Sequence, residues 1–276
     1  MNSRKNPDAP LIDCHAHIWS MDMPLSRSAW KKPEYDYTAA DYMADLDTQG
    51  VQYGVVAAAS LFGTYNDYII RTLRQNDRLR ATAIIDPATD LYTLEAMKVD
   101  GITGVRLQWF MQDPLPDLKD DTYQHLFYRL RDLGMHVHLN IDGDRLVDTA
   151  NEIIDTGVRF VIDHFGWHDP EPGLDAESYK GMLKLLEHDN AWVKISSGFR
   201  HPEEHNPDWE LPVLYTQDLL KHFGTEKLFW GSDSPFIGHE HVASYAMALD
   251  RFNRCVPDDK TRSAICENGY RFYFGD

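Results

Sequence analysis

The sequence predicts a single α/β domain folded as a closed (β/α)8 TIM barrel. Short apolar runs typical of buried strands alternate along the 276 residues with longer amphipathic segments that indicate helices. Such alternation implies parallel strands joined by right-handed crossovers, and eight units in roughly 250 residues are typical of this barrel. The alternative, an open doubly wound sheet, would normally carry a glycine-rich turn after its first strand. His15-Ala16-His17 occupies that position, so the closed barrel is favoured. Because side chains alternate faces along a strand, His15 and His17 are expected to point the same way.

The individual elements follow from apolar periodicity and from the residues that end each run. Thr38 suits the N-cap of the first helix, and Gly50 suits its end because glycine tolerates the left-handed conformation. Asp86 and Pro87 stop the third strand. The loop at 20–37 is longer than most connections, and ordered loops of that length are usually functional. The predicted strands are 11–18, 51–59, 81–85, 104–109, 135–141, 160–164, 191–196 and 228–233, and the predicted helices are 39–48, 68–75, 91–99, 122–133, 144–155, 176–188, 211–223, 241–253 and 260–270.

Composition indicates which cellular compartment and which classes of binding partner are expected. The polar segment 1–10 is expected to be a tail before a domain at 11–276, and it lacks the apolar stretch of a signal peptide. No apolar run is long enough for a transmembrane helix, so no membrane association is expected. Three cysteines without CxxC spacing fit a reducing cytoplasm. A net charge of −17 disfavours nucleic acid but is compatible with a small carboxylate substrate, while the oligomeric state, including a homo-oligomer, stays open.

Polar residues follow or end most of the predicted strands. The active sites of such barrels lie at the carboxyl ends of the strands, so these side chains are expected to meet around one position. Each alone is more often a cap or a satisfied core group, but burying so many polar groups together without a function is costly. The candidates are His15, His17, Arg106, Gln108, His136, His138, Asn140, Asp163, His164, Lys194, Ser196, Arg200, Ser232 and Asp233.

Four motifs, in chain order, resemble those of the amidohydrolase superfamily. They are Leu11-Ile12-Asp13-Cys14-His15-Ala16-His17, Gly104-Val105-Arg106-Leu107, Val161-Ile162-Asp163-His164-Phe165-Gly166 and Phe229-Trp230-Gly231-Ser232-Asp233-Ser234-Pro235. The closest resemblance is to the amidohydrolase 2 branch, which includes sugar-acid lactonases and 2-pyrone-4,6-dicarboxylate lactonase. Gly63-Thr64-Tyr65-Asn66 is similar to a Gly-Thr-Asp-Asn stretch of those lactonases.

The resemblance implies a metal-binding set at the mouth of the barrel. His15 and His17 match the first-strand pair, which binds metal in most members and substrate in the metal-free lactonases. His138 matches the fifth-strand metal ligand, and Asp233 matches the eighth-strand aspartate that takes a proton from the attacking water. We therefore expect His15, His17, His138 and Asp233 to bind one divalent ion, with zinc favoured, and metal-free catalysis is the alternative.

The resemblance also assigns roles around the substrate. His164 matches the histidine that polarises the substrate carbonyl, and Arg106 and Arg200 match arginines that hold substrate carboxylates. Asn140 stands at the place of a substrate-binding tyrosine. Tyr37, in the long first loop, is expected either to roof the pocket over the substrate or to pack over the barrel mouth.

These roles predict a hydrolase that opens the ring of a small carboxylated lactone of the sugar-acid or muconolactone type. Gln112, and Trp167 or His168, replace arginines of the pyrone lactonase, which argues against a doubly charged pyrone as substrate. One alternative is a metal-dependent, non-oxidative decarboxylase of an aromatic or muconate-type acid, and another is a barrel that binds a small acid without turnover. A second His-X-His sequence, His239 and His241, is interpreted as surface or pocket rim.

Overall fold

The eight predicted strands are all present and form one parallel sheet in the order β1 to β8, which confirms the (β/α)8 barrel. A computed structural model describes residues 10–200 and 210–275, so all of the predicted tail except Pro10 lies outside the described residues. The strands are β1 (Ile12–Ala16), β2 (Tyr53–Ala57), β3 (Leu79–Ala83), β4 (Ile102–Gln108), β5 (His136–Asn140), β6 (Arg159–Ile162), β7 (Ala191–Ile195) and β8 (Leu228–Trp230).

A helix follows each strand, and an additional one ends the described chain. The helices are α1 (Ala39–Gln49), α2 (Asp67–Leu73), α3 (Leu91–Val99), α4 (Asp121–Asp132), α5 (Gly143–Ile154), α6 (Glu177–Leu186), α7 (Glu210–Phe223), α8 (Tyr245–Cys255) and α9 (Asp259–Phe274). Thr38 caps α1 as predicted, and Gly50 ends it with a φ of 75°. The helix predicted to begin at 241 begins at Tyr245, where Ser244 accepts a hydrogen bond from the backbone of Met247. Within the described ranges, no helix is both long enough and apolar enough to cross a membrane.

The barrel closes between β1 and β8, and a buried carboxylate joins the two strands. The backbone N–H of Asp233 donates to His15 O at 2.8 Å, and His17 N donates to Ser234 O at 2.7 Å. Asp13 accepts hydrogen bonds from Ser232 N at 2.9 Å and from Ser232 Oγ at 2.6 Å. Because these contacts hold the ends of β1 and β8 together, residues from opposite ends of the sequence meet at the barrel mouth.

Close packing inside the barrel leaves no room for larger side chains at two glycines. A Cβ at Gly104 on β4 would lie 2.5 Å from the ring of His136 on β5. A Cβ at Gly231, just after β8, would lie 2.5 Å from His15 Cβ and 2.9 Å from His15 N. The absence of a side chain at Gly231 therefore lets the end of β8 approach the strand that carries the first two histidines.

Candidate active site

Three ligand atoms from β1 and β8 converge at the mouth of the barrel. His15 Nε2 and His17 Nε2 lie 3.4 Å apart. Asp233 Oδ1 lies 3.2 Å from His17 Nε2 and 3.6 Å from His15 Nε2. All three residues are buried. The 3.4 Å separation of the two Nε2 atoms confirms that His15 and His17 share one face, as predicted.

The proton arrangement around these atoms fits a divalent cation. His17 Nδ1 lies 2.7 Å from Ala57 O, and because a carbonyl only accepts, Nδ1 carries the proton and Nε2 keeps its lone pair. Asp233 Oδ1 has no hydrogen-bond partner in the described part of the chain. Metal-binding histidines commonly donate their second N–H to a carbonyl or carboxylate in this way. His15, His17 and Asp233 thus form a set that can bind a metal ion.

Asp163 is the centre of a second buried cluster directly behind His15. Its Oδ1 lies 3.3 Å from His15 Nδ1 and pairs with His138 Nε2. Its Oδ2 accepts from Arg106 Nη2 at 3.1 Å and Nε at 3.3 Å. Lys194 Nζ lies 3.8 Å from Oδ1. Burial alone would raise the pKa of Asp163, but His138, His15 and Arg106 outweigh it and hold that pKa well below the usual 3.8.

His15, His138 and Asp163 are also close enough together to bind a metal ion. However, two cationic side chains, Arg106 and Lys194, already face Asp163, so a second ion would be repelled where it would have to bind. His138, predicted as a fourth ligand beside Asp233, turns its Nε2 to Asp163. The four predicted metal ligands are therefore divided between two clusters that share His15.

The second oxygen of Asp233 is held by donors on its far side. Ser197 Oγ donates to Oδ2 at 2.5 Å, and Arg200 Nε donates to the same oxygen at 2.9 Å. Burial would raise the pKa of Asp233, but Arg200 and His164 outweigh it and hold that pKa well below 3.8. Asp233 is therefore ionised at neutral pH, with Oδ2 occupied and Oδ1 directed at the histidines.

His164 lies beside His15, with ring centroids 4.6 Å apart. Its Nδ1 is 2.8 Å from Ser196 Oγ. Burial lowers the pKa of His164 to about 4, so the ring is neutral at pH 7. If Ser196 donates to Nδ1, the proton of His164 sits on Nε2, where it can be donated to a substrate oxygen.

Three residues of this site adopt backbone conformations that side chains other than glycine seldom take. The φ angles are 51° at His164, 62° at Ser197 and 61° at Asp233. Such conformations cost on the order of 1–3 kcal/mol each and concentrate at functional sites. Their occurrence after β6, β7 and β8 marks the same end of the barrel as the ligand geometry does.

The four predicted substrate-binding residues lie at or below this mouth, each with protein partners. Arg106 is buried, bonding to Ala58 O at 2.9 Å as well as to Asp163, which differs from the predicted contact with a substrate carboxylate. Arg200 is partly exposed at its side chain and reaches Ile237 O. The other two residues are Asn140, which hydrogen-bonds with Gln108 and Trp167, and Tyr37, which hydrogen-bonds with Asp45 and Ser234.

Asp163 and Lys194 were among the strand-end candidates, and the structure brings both into the cluster around His15. Their contacts with His15 were not predicted. Ser197 was not a candidate, because a serine after a strand is common in turns. His239 and His241 lie before α8 on the rim, as predicted, with His239 only partly buried.

Comparison with known proteins identifies the family of this barrel. A family model described as Amidohydrolase (Amidohydro_2) matches residues 12–274. A 4-sulfomuconolactone hydrolase from Rhizobium radiobacter is 25% identical over 271 residues, covering 95% of this chain and 89% of the relative. A solved structure from Acinetobacter baumannii, described as a probable 2-pyrone-4,6-dicarboxylic acid hydrolase with citric acid bound, is 28% identical with a TM-score of 0.90. That match covers 97% of this chain and 100% of the other.

A decarboxylase also shares the architecture, at a greater distance. The structure of 2,6-dihydroxybenzoate decarboxylase with 2,6-dihydroxybenzoate is 13% identical, with a TM-score of 0.70 over 96% of this chain and 99% of that one. That likeness concerns the fold alone. The family match extends over nearly all of the barrel that carries the histidine and aspartate cluster, and this chain therefore belongs to the amidohydrolase family of enzymes.

Proposed function

We propose that this enzyme is a lactonase that hydrolyses the ester ring of a small, carboxylated lactone. The observation that carries the proposal is Asp233 Oδ1, an ionised carboxylate oxygen without a hydrogen-bond partner in the described chain, directed at two histidine nitrogens. Relatives of this chain named as lactone hydrolases support the same reaction class.

In the proposed reaction, Asp233 Oδ1 receives a proton from the attacking water. The water oxygen bonds to the ester carbonyl carbon, the ring C–O bond then breaks, and the proton passes from Asp233 to the departing ring oxygen. Arg200 and Ser197 hold Oδ2, so only Oδ1 is directed at the water. The product is a ring-opened acid with one more carboxyl group than the substrate.

His164 supplies the electrophilic assistance. Its ring is neutral at pH 7 and lies beside His15, so its Nε2–H can donate to the carbonyl oxygen as negative charge develops there. When Ser196 donates to Nδ1, the contact holds the ring and leaves its proton on Nε2.

We propose that His15 Nε2, His17 Nε2 and Asp233 Oδ1 hold one divalent ion, with zinc favoured by the mixed nitrogen and oxygen ligands. Because a carboxylate oxygen has two lone pairs, Oδ1 can bind the ion through one and accept the proton through the other. When bound, such an ion lowers the pKa of a water ligand to about 7 and polarises a carbonyl. A lowered pKa of the water is important here because Asp233, whose own pKa is depressed, is too weak a base to deprotonate ordinary water efficiently. Direct activation of the substrate by the two histidines is the metal-free alternative.

Arg200 is the proposed contact for the substrate carboxylate. It is the cation beside Asp233 and retains partial exposure, whereas Arg106 is buried against Asp163. A guanidinium can bind a carboxylate through two parallel hydrogen bonds. We further propose a cytoplasmic location, which fits three buried cysteines that no disulfide joins.

The test is hydrolysis of a panel of five- and six-membered unsaturated lactones that carry one carboxylate. Ring opening at pH 7.5 releases one proton per turnover, which a pH-stat measures, and CO2 release from matched unsaturated acids is followed in parallel. We expect lactone hydrolysis, lowered at least 100-fold in Asp233→Asn because proton transfer is lost. Asp47→Asn is the control, since Asp47 is on α1 and bonds Arg78, which directly precedes β3 at the opposite end of the barrel. CO2 release without ring opening, or full activity in Asp233→Asn, would refute the proposal.

A further inference from the structure

Lys194 is a fully buried cation whose position the proposed reaction does not explain. It lies on β7, and its side chain has no exposed surface. Its Nζ donates to Cys14 O at 2.7 Å and lies 3.3 Å from His15 Nδ1. The ring of Tyr273 lies beneath the ammonium, 5.6 Å away. A charge placed this deep, in contact with a predicted metal ligand, calls for a specific role.

Lys194 and Asp163 compete for the same nitrogen of His15. Asp163 Oδ1 and Lys194 Nζ are each 3.3 Å from His15 Nδ1. The carboxylate can only accept a hydrogen bond, and the ammonium can only donate one. His15 Nδ1 must therefore carry a proton to bond Asp163, and must lack one to bond Lys194.

The choice of partner decides what the other nitrogen of His15 offers to the mouth of the barrel. When Nδ1–H donates to Asp163, Nε2 keeps a lone pair that can bind a cation. When Nδ1 accepts from Lys194, the proton sits on Nε2, which then points at His17 Nε2 and Asp233 Oδ1, 3.4 and 3.6 Å away. In the second arrangement Nε2–H can donate to His17 Nε2, and His15 keeps no lone pair at the mouth for a metal ion.

We propose that Lys194 is a positioning residue that, through His15 Nδ1, weakens the binding of a divalent cation by His15, His17 and Asp233. The ammonium favours the tautomer of His15 with the proton on Nε2, and its own positive charge acts in the same direction. Asp163 opposes it by favouring the proton on Nδ1. The balance makes the bound ion exchangeable rather than permanent.

The experiment measures zinc binding and the His15 tautomer directly, without substrate. Zinc dissociation constants at one pH are obtained by competition with a chromophoric chelator for the wild type, Lys194→Met and Lys227→Met. The last is a matched control, because Lys227 contacts His188 O and Trp192 at the opposite end of the barrel. Imidazole ¹⁵N spectra of the metal-free proteins, assigned with His15→Gln, report which nitrogen of His15 is protonated.

We expect Lys194→Met to bind zinc about 10-fold more tightly or better, in the range found for outer partners of metal ligands. In the same variant His15 should move toward the Nδ1–H form, while Lys227→Met should match the wild type in both measurements. Unchanged or weaker zinc binding, or an unchanged tautomer, would overturn the proposal. So would a wild-type His15 that is wholly Nδ1–H, and this result does not depend on whether the methionine variant folds. Loss of the lactonase proposal would leave these measurements unaffected.

Discussion

Replacing Asp163 by asparagine should strongly destabilise the barrel, because this carboxylate is the counter-ion of several buried groups. Asp163 has no exposed surface, and Arg106 is only 4% exposed. The carboxylate accepts two bonds from Arg106, contacts His15 and His138, and lies 3.8 Å from Lys194. Asparagine keeps the shape but removes the charge and turns an amide donor toward other donors.

The expected loss is large relative to the stability of a typical domain. Removing one partner of a buried ion pair costs about 3–5 kcal/mol, because the remaining charge is left uncompensated. Stabilities of single domains are about 5–15 kcal/mol, so the variant should lose a substantial part of its free energy of unfolding. The contacts of His15 and His138 with the same oxygen place the expected loss at the upper end of that range.

Urea denaturation followed by circular dichroism and tryptophan fluorescence measures this loss. Asp100→Asn is the matched control, because Asp100 accepts hydrogen bonds from Nε and Nη2 of Arg74, at 2.7 and 2.6 Å, and Arg74 is exposed. Solvent screens that pair, so its removal should change the free energy of unfolding far less. A loss for Asp163→Asn as small as that of Asp100→Asn would refute the view that Asp163 balances buried charge.

The remaining predictions concern acid and packing. Burial lowers the pKa of His138 to about 3 and of His164 to about 4, so below the usual 6.5 the unfolded chain takes up protons that the folded chain does not. Stability should therefore decrease from about pH 6.5 downward, by up to about 1.4 kcal/mol per pH unit for each histidine, and equal unfolding free energies at pH 7 and 5 would contradict this. Gly231→Ala should lower the free energy of unfolding, measured by urea denaturation, by about 1–3 kcal/mol, because the new Cβ displaces His15. The same displacement should weaken zinc binding. Unchanged stability would show that β1 can shift without strain.

The barrel was predictable because apolar residues recur periodically along its strands and helices. The pairing of the site residues depends instead on how neighbouring strands are aligned. Alternation along the first strand was enough to place His15 and His17 together. The pairing of Arg106 with Asp163 requires the alignment of three strands: Arg106 stands opposite His138 on β5, and Asp163 N donates to Leu139 O. No pattern within one segment contains that alignment, so Arg106 was expected to face the substrate.

Sequence patterns also do not predict whether His138 pairs with Asp163 or with Asp233. His138 lies in the middle of β5, and its Nε2 meets Asp163 and not Asp233. Both aspartates end strands and both lie within reach of His15, so differences of an ångström or two decide the partner. The role of Lys194 depends on the same short distances.

The joint between β1 and β8 also determines when the site can come into existence. Asp13 and Ser232, which form it, are 219 residues apart in the chain. A ribosome-bound chain that has not yet released its eighth strand holds His15 and His17 but lacks Asp233, and its two terminal sheet edges are open to mispairing. Binding of the proposed ion by all three ligands therefore requires a completed barrel, and an ion bound there would stabilise the joint between β1 and β8 by mass action.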